Sequence, residues 1–135
     1  MAPRFLLLLV LLAAAPFARA CGYCVEDRMA AVYDHAIVVR AMERRHEVAF
    51  IAVEGAPVTH ADWLRAIDAA RGIDRGTLRL SPENSSLSFA YDPRGPGLGS
   101  ILRTIEKTLA AKNLSLSVLR VIDAAPPHAA VAGSP

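Results

Sequence analysis

The residue types and spacing that could do chemistry in this chain are gathered in one place, Cys21-Gly22-Tyr23-Cys24, which holds its only two cysteines. Two thiols with two residues between them can close a small disulfide, exchange with another thiol or chelate one soft metal ion. At a helix start, the orphan N–H groups of the first turn stabilise the thiolate that these uses need. Two sulfurs do not complete a tetrahedral zinc site, but they suffice for near-linear binding of a monovalent soft ion, and they can recruit a third ligand. The leading expectation is therefore a metal site of Cys21 and Cys24, with His60 as the third ligand and Cu(I) or Zn(II) as the ion. A second reading is dithiol redox work, with Cys21 as nucleophile and Cys24 resolving the mixed disulfide, so that the partner is a thiol-bearing protein. A third is an incidental disulfide in a partner-binding module, since a lone cysteine pair in an oxidising compartment usually ends as a bridge. Closing so short a loop removes little unfolded-state entropy, so such a bridge adds little stability.

No catalytic residue can be named, because no Ser/His/Asp or paired-carboxylate arrangement can be argued from position; a binding protein is favoured over an enzyme. Met29, Met42 and Trp63 fall at helical spacing among apolar residues and read as core. His35 reads as an exposed residue of a helix, His46 as a cation suited to a helix end, and His128 as part of the tail. The Gly95-Pro-Gly-Leu-Gly99 cluster lacks the lysine of a phosphate loop and reads as a turn.

The compartment follows from residues 1–20, which have the three parts of a cleavable export signal: Arg4, an apolar run over 5–15, and Ala18-Arg19-Ala20 as a small-x-small cleavage site. A periplasmic or secreted protein is expected. A lipid anchor on Cys21 is the alternative, disfavoured by Arg19, which stands where lipoprotein signals prefer a small or aliphatic residue. The apolar run is far shorter than the roughly 20 residues of a bilayer-spanning helix, so no transmembrane segment is expected. Of the 15 Lys and Arg, Arg4 and Arg19 leave with the signal, and the remaining 13 match the 13 Asp and Glu. A neutral domain has no net field to gather polyanions, which argues against a nucleic-acid partner.

Residues 21–123 suffice for one domain with one core. The apolar residues Val25, Met29, Val32, Ala36 and Val39, widened by Tyr33 and Ile37, predict a single amphipathic helix from Val25 to about Arg45. The run Val48-Ala-Phe-Ile-Ala-Val53 is apolar on both faces and predicts a central strand with a layer on each side. Thr59 as N-cap opens a second helix over 60–71, stopped by a left-handed Gly72. Alternating strands over 77–80 and 87–91 flank a loop, a third helix starts at Leu98 and stops near Asn113, and a last strand covers 116–122. The tail over 124–135, made mostly of Ala and Pro, reads as disordered.

The expected fold is thus α+β: a ferredoxin-like βαββαβ sandwich with an additional N-terminal helix. Over roughly residues 47–122 this order resembles the heavy-metal-associated domain family, whose small domains bind soft metal ions through Cys-x-x-Cys. In that family the cysteines lie between the first strand and its helix, where this chain has Glu54-Gly-Ala-Pro-Val-Thr59 and no cysteine. The family's ligands therefore do not transfer to matching positions. Cys-Gly-Tyr-Cys also resembles the redox motif of thioredoxin and disulfide-isomerase proteins, without the strand that precedes it there. Geometry offers another route to the metal site. A helix of 21 residues spans about 32 Å against about 20 Å for the first strand. Laid antiparallel over the sheet's open face, its start overhangs the end of that strand, in the neighbourhood of His60.

Overall fold

The structure, a computed structural model, describes residues 24–123. The expected export signal, Cys21, the alternative of a lipid on it, and the tail lie outside the described residues. The elements are α1 (Val25–Ala31), α2 (His35–Glu43), β1 (Glu47–Glu54), α3 (His60–Ala69), β2 (Arg79–Ser81), β3 (Ser86–Tyr91), α4 (Leu98–Thr108) and β4 (Ser115–Ile122), with 3-10 turns at Pro82–Asn84 and Ala110–Lys112. The fold of the described residues is α+β, four α-helices on one antiparallel sheet ordered β2-β3-β1-β4.

β1 is central because its side chains are apolar on both faces. On one face Ala49 and Ile51 join Leu87, Phe89 and Tyr91 of β3 under Trp63, Ala66 and Ile67 of α3 and Ile101, Leu102 and Ile105 of α4. On the other, Val48, Phe50 and Ala90 lie under Val32 and under Ile37, Val38 and Ala41 of α2. Phe50 and Phe89, one on each face, are both fully buried. Thr59 caps α3 as expected, its Oγ1 accepting from the Asp62 N–H at 3.2 Å. Gly72 has φ +96°, a conformation that L side chains avoid, and a Cβ there would press on Pro96 at 3.1 Å.

The single N-terminal helix is corrected to two. At Asp34 the backbone is extended, with φ −130°, and the carboxylate accepts the Ile37 N–H at 3.2 Å, so α2 restarts with its own cap. The break resets the helical phase. Ile37, Val38 and Ala41 turn inward, whereas Ala36 and Val39, expected on the buried stripe, are exposed. Tyr33, in the break itself, is 48% exposed, with its ring stacked parallel to Phe50 at a centroid distance of 6.4 Å.

The antiparallel course over the sheet survives this correction. Ser86 Oγ donates to the Arg28 carbonyl at 2.9 Å and Ser88 Oγ to the Val32 carbonyl at 2.7 Å. The N-terminal layer therefore advances with β3 and against β1. β2 is shorter than its alternating pattern suggests, because Thr77 does the work of a turn. Its Oγ1 donates to the Asp74 carbonyl at 2.7 Å and accepts the Ala90 N–H at 3.0 Å, replacing strand partners with a side chain.

Candidate functional site

Cys24 is the N-cap residue of α1, and its carbonyl accepts the Arg28 N–H at 3.1 Å, which starts the helix. The side chain is exposed. α1 itself buries no residue. Met29 packs partly against the second core, and Val32, just past the helix, is buried there. The two serine hydroxyls of β3 fix the carbonyl end of this segment to the sheet. Cys24 stands one helical turn before Arg28, which meets Ser86, the first residue of β3, and Ser86 pairs with Ala52 near the end of β1. The cysteine is thus presented at the end of the sheet where β1 passes into loop 55–59.

His60 is the first residue of α3, is exposed, and starts from that same end. α3 packs on the opposite face, however, so the sheet lies between the layer carrying Cys24 and the layer carrying His60. Among the described residues no three His, Cys, Asp or Glu side chains are grouped to hold a metal ion. Cys21, the other expected ligand, lies outside the described residues, as does His128. His35 is exposed and its Nδ1 lies 3.3 Å from the Tyr33 hydroxyl. Met42, like Met29, packs against the second core, and Trp63 is buried in the first, as their spacing implies.

A cleft of about 260 Å³ opens at the same end, walled by Val53, Val58, Trp63 and Leu80. None of the described residues that line it carries a titratable side chain.

His46 does more than close a helix. Its Nδ1 lies 2.8 Å and 3.0 Å from the two carboxylate oxygens of Asp74, and its Nε2 lies 3.7 Å from Asp92. At 14% exposure the ring ties the end of α2 to the loop after α3 and to the end of β3. Arg94, which bonds Asp92 through its side chain and backbone, holds that carboxyl below the usual aspartate range, with His46 a smaller contributor. Both ring nitrogens face carboxylates and no hydroxyl or thiol is among these partners, so the cluster is a clasp between segments rather than a nucleophile with its base. No local sequence signal could have revealed it, because Asp74 is 28 positions away. Tyr91, beside it on β3, donates to Glu47, and burial followed by that bond pushes its phenol well above the ordinary value.

Among the described residues no helix is long and apolar enough to cross a membrane. The chain matches no protein-family model, no curated protein and no solved structure.

Proposed function

We propose that this is a small exported binding protein that captures or passes on a soft metal ion through Cys21 and Cys24, on a ferredoxin-like body with an added N-terminal helical layer. The order β-α-β-β-α-β together with a sheet ordered β2-β3-β1-β4 supports that body, since a split βαβ unit sets β3 between β1 and β2. The observation that carries the functional reading is the exposure of Cys24 on a segment whose other end is bonded to the sheet. A sulfur presented on an anchored support is reachable by a metal donor, and it costs no reorganisation of the core to bind.

Two thiolates favour near-linear coordination of Cu(I), whereas Zn(II) requires four ligands. With His60 on the far layer, the two-sulfur form is the one proposed. Export to the periplasm or beyond is part of the same proposal and rests on residues 1–20.

The test is a titration of the reduced, purified protein with Cu(I) against a chromophoric chelator, alongside Cys21→Ser, Cys24→Ser and His60→Ala. One Cu(I) per chain, lost in either serine variant and kept in His60→Ala, is the expected result. Loss in His60→Ala would restore the three-ligand site. No uptake by the reduced wild type would remove the metal reading, and reduction of insulin by the same sample would put thiol-disulfide exchange in its place.

A further inference from the structure

The opposite end of the N-terminal layer carries a second feature, which goes beyond the metal proposal and shares no residue with it. A recess of about 200 Å³ lies between the last turn of α2 and the turn over 74–77, lined by Arg40, Arg44, Asp74, Arg75, Gly76 and Thr77 among others. Three guanidinium-bearing side chains from two separate segments thus border one concavity.

Three arginines elsewhere among the described residues find carboxylates. Arg79 pairs with Asp34 at 2.8 Å, Arg94 with Asp92 at 2.9 Å, and Arg65 with Asp62. Arg40, Arg44 and Arg75 form no ion pair among the described residues. Asp74, the one carboxylate at the recess, is engaged by His46 at 2.8 Å.

The dipole of α2 accounts for cations in its last turn. It does not account for a third from another segment. Arg40 and Arg44 are four residues apart on one helix, an arrangement of like charges that destabilises an isolated helix. Adding Arg75 across the gap compounds that repulsion. Such a cluster is relieved by an anion seated between the guanidinium forks, whose paired N–H groups match the oxygens of phosphate or carboxylate.

We propose that this recess binds a small dianionic oxyanion of the phosphate type. The formal charge of its ionisable lining, three guanidiniums and one carboxylate, is +2 and matches such a ligand. Its volume lies below the roughly 300–1,000 Å³ of pockets for drug-sized ligands, which restricts the occupant to a small anion or the head group of a larger molecule. Gly76, one of the lining residues, has φ +76°, and a Cβ there would meet nothing within 4 Å, so it leaves open space on that side of the recess.

The experiment is an amide-shift NMR titration of the purified protein with inorganic phosphate at pH 7.5, against sodium chloride at equal ionic strength. A saturable response confined to the last turn of α2 and residues 74–77 is expected. Affinity should fall at least tenfold in the double variant Arg40→Gln/Arg75→Gln and stay unchanged in Arg103→Gln, which removes an exposed cation elsewhere. These are surface changes, and circular dichroism of each variant confirms the fold. A parallel titration with phosphoserine separates the sources: tighter binding than inorganic phosphate marks a head group, and equal binding marks the anion alone. A response that does not saturate, that chloride reproduces, or that persists in the double variant overturns the proposal.

Discussion

The two helical layers are attached to the same sheet by different means. Among the described residues, thirteen are buried in one continuous cluster between the sheet and α3 and α4, apolar but for the Tyr91 hydroxyl and the Trp63 indole N–H; between the sheet and the N-terminal layer only seven are buried. The smaller layer is supplemented by polar ties: two serine hydroxyls of β3 on backbone carbonyls, the Asp34–Arg79 pair, and the His46 clasp. Apolar burial is large but non-directional, whereas a hydrogen bond fixes a position. The α3–α4 side therefore supplies most of the stability, and the N-terminal side supplies placement. Cys24 at one end and the arginine recess at the other, on which the two proposed sites rest, belong to the layer that is placed rather than massively buried.

The strongest way to break this contrast is to open a cavity in the larger cluster. Phe89→Ala removes a fully buried ring and should cost about 3–5 kcal/mol, measured by urea denaturation. Against a total stability of about 5–15 kcal/mol, that is a large fraction of the whole. Ser88→Ala tests the other side with a smaller effect. It leaves the Val32 carbonyl without its donor in a buried setting, at a cost of about 1–3 kcal/mol. Its more telling readout is hydrogen exchange: protection should fall in α1 and α2 and hold in α3 and α4. Equal loss across both layers would mean that the protein opens as one unit, and the division of labour drawn here would be wrong.

The sequence makes the larger side easy to read and the smaller side hard. An apolar run such as 48–53 has one interpretation, a strand covered on both faces, and Thr59 and Gly72 mark the helix that covers one of them with standard capping chemistry. The N-terminal layer carries two overlapping signals. Helical periodicity continues through Val32 and Ala36, while Asp34 offers a cap that interrupts it, and a period count outweighs a single polar residue. The cost of that misreading was the phase of α2, not its direction, since Asp34 on Arg79 before it and His46 on Asp74 after it still run it against β1. The Cys-x-x-Cys was visible because its members are neighbours in sequence. The His46 clasp and the arginine recess were not, because strand order rather than spacing brings residues 40–46 to 74–77 and 92.

The smallest expected effects are in pH dependence, and they fall on the two layers with opposite sign. Asp34, which ties the N-terminal layer to Arg79 of β2, has its carboxyl lowered first by the Ile37 backbone N–H and then by Arg79. A lowered carboxyl contributes stability above the ordinary aspartate value of about 3.9, and loses that contribution as pH falls through the folded value. Asp34→Asn should therefore flatten the acid limb of the stability curve. Tyr91 belongs to the other cluster, and its phenol is raised, first by burial and then by the bond to Glu47. The folded state holds that proton where the unfolded chain releases it, so stability is full below about pH 10 and declines above it. Tyr91→Phe should flatten the alkaline limb and leave the acid limb unchanged. Hydrogen exchange at each extreme sharpens the comparison: acid should first loosen α1 and α2, which depend on a charged tie, and alkali should act first on the core beneath α3 and α4, where an ionised phenol would face the Glu47 carboxylate.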